Sequence, residues 1–253
     1  MGVKIRSEIA AIIEEIEAKC GEDLYAEFTE QEGFMLAQSF VDRNRIPVIL
    51  VDPRYQDTGK KLEAIIIHEL LHLRLRVNNY PVFLFSPTIN TQRGRAIDVE
   101  QGNMNDMKNL IDHRIFKAEM ERYGLYKHID LSGDTVRMAR RSKGQLGGNA
   151  ETVNYARAVL EYLDPKDVAE VKQAYAANGW TREISAGQAI ADIISTSSIK
   201  TPADFEAVLL RCLPKLYPLP SSQYAFTLTL DTKNTIFRRM IINAGRRRTL
   251  RRR

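Results

Sequence analysis

The sequence predicts an α+β protein, in which a small antiparallel N-terminal sheet packs on a central helix and a second long helix, followed by a mostly helical C-terminal half. Three observations lead to this fold class. Short β-rich runs lie between residues 24 and 53, two long runs at helical spacing follow, and helical spacing dominates beyond residue 149. With 253 residues, 44% of them hydrophobic and 27% charged, the chain can bury one large core or two modest ones.

The first half begins with a predicted helix over residues 4 to 19, whose isoleucines share one face. The runs "LYAEFTEQ", "FMLAQSF" and "RIPVILVDP" predict three strands. A turn at "DPRYQDTGK" leads into a helix from about 60 to 77, which ends at the Asn-Asn-Tyr-Pro of 78 to 81. "VFLF" predicts a further strand, and a second long helix runs from about 103 to 123, where Gly124 ends it.

The second half begins with a polar, glycine-rich stretch over 132 to 149, which predicts a loop. Four helices are then expected, and two of them begin with an N-cap residue followed by proline, at Asp164-Pro165 and Thr201-Pro202. "YAFTLTLD" and "TIFRRMII" predict a closing hairpin. The predicted helices span about 150 to 163, 165 to 178, 185 to 197 and 202 to 213.

The net charge of +5 belongs to one end of the given chain, since residues 246 to 253, "RRRTLRRR", hold six arginines. Without them, 31 basic residues face 32 acidic ones, a balance of −1. Such a run is a solvated segment or an electrostatic contact for nucleic acid or another polyanion. No run is apolar enough for a signal peptide or a membrane span, and Cys20 and Cys212 are solitary. We therefore expect a cytoplasmic protein that does not contact a membrane.

Three candidate metal-binding and catalytic residues lie in "AIIIHELLHLRL", residues 64 to 75. On a helix, His68 and His72 project from one face about 6 Å apart, so both can hold one metal ion. Glu69 lies further round, where it can take a proton from a water molecule, and this arrangement is the physical content of the H-E-x-x-H pattern. The competing interpretation is a core helix whose histidines donate to backbone carbonyls. The bulky apolar neighbours favour the metal, because buried polar side chains need partners.

Residues 65 to 75 resemble the active-site helix of the zincin metallopeptidases. The resemblance implies bound Zn²⁺, a peptidase activity, and an antiparallel sheet ahead of this helix. The family's pattern has an apolar residue two places after the second histidine, where this chain has Arg74. The longer metzincin pattern is absent, since Leu75 and Asn78 stand where it has Gly and His.

A hydrolytic zinc site needs a third protein ligand and an open position. The candidates are Asp112 and His113, in "NLIDHRIF" of the second long helix, and they flank opposite edges of its apolar stripe. In glutamate-type zincins the third ligand is a carboxylate on a later helix near an asparagine, which favours Asp112 after Asn109. The other residue could orient a ligand.

Fewer observations support the remaining candidates. Tyr123, Tyr126 and His128 follow the second long helix and could stabilise an oxyanion. Trp180 is expected in the core, and Arg238 and Arg239 either extend the basic surface of the tail or face solvent.

The leading interpretation is a zinc-dependent metallopeptidase acting on a peptide or protein substrate, with Glu69 as general base. Its expected parts are a zincin-like metallopeptidase domain over 1–131, a mostly helical accessory region over 150–245 and the basic tail over 246–253. One alternative is a nucleic-acid-associated protein that binds through the tail and keeps a structural or vestigial zinc site. Another is a metal-free interaction protein. The oligomeric state is left open.

Overall fold

The computed structural model describes residues 7–30, 36–82, 88–91, 96–98, 101–124, 126–128, 132–142, 144–162, 164–217, 222–230 and 236–243. Within these residues the α+β class is confirmed, with a small N-terminal sheet and a mostly helical second half. The elements, in chain order, are α1 (Ser7–Cys20), β1 (Tyr25–Phe28), β2 (Ala37–Val41), β3 (Pro47–Val51), α2 (Lys60–Val77), β4 (Thr88–Thr91), β5 (Ala96–Asp98), α3 (Gln101–Arg122), α4 (Ser132–Arg141), α5 (Asn149–Glu161), α6 (Pro165–Ala177), α7 (Thr181–Thr196), α8 (Pro202–Leu216), β6 (Ser222–Leu230) and β7 (Ile236–Asn243).

Internal contacts divide the chain into two compact units that alternate along the sequence. Unit 1 comprises residues 1–80, 115–130 and 231–235, and unit 2 comprises 81–114, 131–230 and 236–253. The division falls inside α3, which is one continuous helix. The expected domain limits at 131, 150 and 245 stay predictions, because a division by contacts does not test which segments fold independently.

The sheet of unit 1 has the order β1-β3-β2. Strands β2 and β3 form the expected antiparallel hairpin, in which Ala37 pairs with Val51. Strand β1 pairs with β3 in parallel, with Tyr25 opposite Val48, so the sheet is mixed and the expectation of a wholly antiparallel sheet is wrong for this pair. A short turn forces only the strands that it joins to run antiparallel. The longer connection after β1 leaves that strand able to reach the other side of β3.

Helix α2 packs against β2, β3 and α1, and its apolar side chains supply much of the core of unit 1. Helix α1 buries Ile9, Ile12 and Ile16, as its spacing predicted. The end of α2 is fixed at Asn78, whose Nδ2 atom donates to the Glu15 carboxylate and to the Arg74 carbonyl, both at 2.8 Å. The predicted limits of this helix, 60 and 77, are confirmed.

Unit 2 contains the helices after residue 131 and the first part of α3. One core cluster gathers the apolar side chains of α4, α5 and α6 around Trp180, which confirms that Trp180 is a core residue. The predicted N-caps are also confirmed: Asp164 accepts from the Lys166 amide, and Thr201 accepts from the Asp204 amide. The loop expected over 132–149 is wrong for its first part, which is helix α4.

The second sheet has the order β5-β4-β6-β7 and includes the predicted closing hairpin, formed by β6 and β7. Strands β4 and β5 lie between "VFLF" and the second long helix, where the sequence predicted no strand. The predicted strand "VFLF" lies mostly outside the described residues, and so does the basic tail. Among the described residues, no helix combines the length and the apolar character that crossing a membrane requires.

Candidate metal centre

The two histidines of the H-E-x-x-H helix are less buried than the leucines around them. Nine side chains of α2 are buried, among them Leu70, Leu71 and Leu73, whereas His68 and His72 are only half-buried. The two imidazole rings contact each other edge to face, with centroids 4.6 Å apart. The four-residue spacing therefore places both rings together, as the sequence predicted.

The C-terminal part of α3, which belongs to unit 1, lies against this face of α2. Phe116, only 1% exposed, presents its ring to both histidines, with centroids 5.6 Å from His68 and 5.0 Å from His72. Further along, Arg74 forms a two-pronged ion pair with Glu119, in which Nη1 donates to Oε1 at 3.0 Å. These contacts fix the register of the two helices.

His113 lies one turn before Phe116 on the same continuous helix, and this turn brings its ring to the other two. One ring nitrogen from each of His68, His72 and His113 lies within 4.8 Å of the others. Zinc binds imidazole nitrogens at about 2.0–2.1 Å in tetrahedral geometry, which separates the nitrogens by about 3.4 Å. Shifts of about 1 Å would bring the rings to that separation. Three imidazoles also match the His₃ ligand set of the catalytic zinc in carbonic anhydrase.

Asp112 is not a member of this group, and its role as third ligand stays a prediction. Its side chain is 0% exposed and forms an ion pair with Lys108 one turn earlier on α3. Adjacent residues on a helix point about 100° apart, so Asp112 and His113 project from α3 in different directions. Asparagine followed by a carboxylate was the signal that favoured Asp112, and it carries no information about this rotation.

Glu161, which the sequence analysis did not select, contacts the third histidine. The Nδ1 atom of His113 lies 2.7 Å from the Oε1 atom of Glu161 on α5. Because a carboxylate only accepts hydrogen bonds, Nδ1 of His113 carries a proton and donates it. The two residues are 48 positions apart, and no motif links them.

Glu69 is buried beside the histidines, with 8% of its surface exposed. Its Oε1 atom lies 3.0 Å from Nδ1 of His68. Burial raises the pKa of Glu69, but the hydrogen bond from His68, the charges of His68 and His72, and a hydrogen bond from Ser39 outweigh it and lower the pKa to about 2. The carboxylate is therefore ionised at neutral pH and can accept a proton.

Two tyrosines and a histidine that follow α3 were the candidates for stabilising an oxyanion. The Tyr123 hydroxyl donates to Glu119 at 3.1 Å and accepts from Arg122, so its proton is committed to the Arg74–Glu119 pair. Tyr126 and His128 lie on a short 3-10 helix that contacts α2. An oxyanion role for these residues stays a prediction.

Comparison with known proteins finds no match: no protein-family model, no curated protein and no solved structure is significantly similar to this chain. The resemblance to zincins therefore stays a prediction from the sequence of residues 65 to 75.

Proposed function

We propose that this protein is a zinc-dependent metallohydrolase, and specifically a peptidase. The observation that carries the proposal is the convergence of His68, His72 and His113 beside a buried, ionised Glu69. Three imidazoles with a neighbouring carboxylate form the ligand set and the base of a hydrolytic zinc centre. Zn²⁺ is the proposed cofactor and a peptide or protein is the proposed substrate.

Within this proposal each side chain has a separate role. His68, His72 and His113 hold the ion, which when bound polarises a carbonyl and makes water more acidic. Glu69 accepts the proton of the attacking water and passes it to the leaving amine.

The surroundings of Glu69 support its role as base. Its hydrogen bonds to His68 and Ser39 fix the carboxylate between α2 and strand β2. A base must be held within hydrogen-bond reach of the proton that it removes, and burial limits the rotamers that this carboxylate can adopt. We also propose a cytoplasmic location, supported by Cys20 and Cys212, which are buried and form no disulfide with each other.

The decisive experiment measures zinc content and peptide cleavage on the full chain. We expect about one zinc per wild-type chain and cleavage of an unstructured protein such as casein. Glu69→Gln should keep the zinc and lose activity by a factor of at least about 100, because it removes the base and leaves the three imidazoles in place. Glu63→Gln, on the same helix, is the matched control and should keep both.

Two results would contradict this proposal. If the wild-type protein binds no zinc, even after zinc is added, the "HELLH" segment is a helix that does not bind this metal. Zinc-loaded protein that cleaves no peptide would favour a structural zinc site.

The six arginines of residues 246 to 253 support a second candidate function, binding of nucleic acid. Each phosphate neutralised contributes about −0.9 to the slope of log affinity against log salt on duplex DNA, so six contacts predict a slope of about −5. Removing residues 246 to 253 should abolish this binding. A truncated chain that binds DNA as tightly as the full chain would exclude the tail as the binding segment.

A further inference from the structure

We propose that Glu161 is a positioning residue of the metal centre: it orients His113 and makes that imidazole a stronger metal ligand. This inference rests on the proposed function, because it requires that the three histidines bind a metal. It assigns a role to a residue that lies in a different helix from every predicted ligand and that no sequence motif marks.

The first argument is the hydrogen bond itself. The 2.7 Å contact joins His113 Nδ1 to Glu161 Oε1, and both side chains are 17% exposed. Since the carboxylate takes the proton of Nδ1, the neutral ring carries its lone pair on Nε2. The contact therefore fixes both the tautomer and the rotation of the ring. Histidine ligands in metal sites commonly donate their second nitrogen to a carboxylate in this way.

The second argument is that Glu161 is itself held in place. Arg157, one turn earlier on α5, has its Nε atom 3.8 Å from Glu161 Oε2. The same guanidinium donates to Asp106 Oδ1 at 2.9 Å, and Asp106 lies two turns before His113 on α3. The side chains of His113, Glu161, Arg157 and Asp106 are thus joined by successive contacts within unit 2. The first and the last of them lie on α3, and the other two lie on α5. A carboxylate with its position fixed at both oxygens can in turn fix an imidazole.

The third argument concerns charge. Three neutral imidazoles bring no negative charge to a dication. A carboxylate hydrogen-bonded to one imidazole raises the basicity of that ring. It also supplies negative charge close to the ion without binding the ion directly. Arg157 pairs with both Glu161 and Asp106, so one guanidinium faces two carboxylates.

The test is the zinc affinity of the full chain, measured by competition with a chromophoric chelator. We expect Glu161→Gln, which keeps the size of the side chain and removes its charge, to weaken zinc binding 10- to 100-fold. The visible spectrum of the Co²⁺-loaded variant should shift as well, which loss of a purely structural ion pair would not cause. The matched control is Glu170→Gln, which removes the exposed carboxylate that pairs with Arg140. This control should leave both readouts unchanged.

Each outcome decides between the interpretations. Wild-type protein that binds zinc, together with a Glu161→Gln variant of equal affinity and equal Co²⁺ spectrum, would overturn this inference and leave the proposed function intact. The expected loss of affinity in a chain that cleaves no peptide would support the inference and contradict the peptidase. A wild-type chain without zinc affinity would overturn both. If Glu161→Gln does not fold, Glu161→Asp, which keeps the charge but shortens the side chain by about 1.5 Å, decides in its place. Unchanged zinc affinity in that variant overturns the inference.

Discussion

Arg74 on α2 donates from Nη1 to Oε1 of Glu119 on α3 at 3.0 Å, and its second nitrogen contacts the other carboxylate oxygen. Arg74 is the residue at which this chain departs from the apolar position of the zincin helix. Here Arg74 has an ion-pair partner, Glu119, which lies on the same helix as Phe116 and His113. The ion pair therefore helps to hold the histidines in register, and its strength can be measured.

Replacing Arg74 by leucine should lower the free energy of unfolding by about 2 kcal/mol, because Glu119, 20% exposed, would lose a two-pronged partner. Urea unfolding measures this change. Arg140→Met is the control, since Arg140 and Glu170 form an exposed pair whose loss should cost about 0–1 kcal/mol. A double variant that also carries Glu119→Leu should recover part of the loss. Equal costs at the two sites would show that the Arg74 pair contributes no more than a surface contact.

The same pair should make stability depend on pH. Burial raises the pKa of Glu119, but the hydrogen bond and charge of Arg74 outweigh it, so the pKa lies below its ordinary value. The unfolded chain therefore takes up this proton first as the pH falls, and the stabilisation is lost from about pH 5 downward, through the folded-state pKa. Wild type and Arg74→Leu should differ most at neutral pH and least below the folded-state pKa of Glu119. Unfolding curves recorded across this range test the sign, and a constant difference would contradict it.

The identity of the third ligand can be decided with two adjacent variants. His113→Ala should lose zinc-dependent stabilisation, which for wild type amounts to about 4 kcal/mol when zinc is at 1,000 times its dissociation constant. Asp112→Asn should keep that stabilisation but unfold more readily in chelator, because Lys108 loses a buried counter-charge. Thermal unfolding with zinc and with chelator distinguishes the two. The reverse pattern would restore Asp112 as the ligand.

Phe116 should contribute to the metal centre through ring packing. Phe116→Leu keeps an apolar side chain and removes the edge contacts with His68 and His72. We expect a loss of stability of about 1–2 kcal/mol and a several-fold weaker zinc affinity. Phe205→Leu is the control, because Phe205 is equally buried, in α8, and should cost similar stability without affecting zinc. Parallel losses of zinc affinity in both variants would indicate a general loosening of the fold.

Much of the fold follows from local patterns in the sequence. Helix α2 matches its predicted limits, because bulky apolar residues drive burial and Asn78 ends the helix. The N-caps at Asp164 and Thr201 match for the same reason, since each satisfies the first amides of its own helix. Helix α4 was missed because its buried residues Val136 and Ala139 pack in a cluster with Tyr175 and Trp180, which come from later in the chain.

The candidate site, like the fold, has one part that local sequence patterns predict and another part that depends on the packing of distant segments. The sequence by itself determined the proximity of His68, His72 and Glu69, because a four-residue spacing on a helix fixes that geometry locally. It also limited the third ligand to two adjacent residues. Only the tertiary structure showed that ring nitrogens of His68, His72 and His113 lie within 4.8 Å of one another, because the spacing of residues within one helix does not fix its distance from another helix. Glu161 could come only from the fold, since a hydrogen bond across 48 residues depends on how helices pack and leaves no periodic trace in the chain.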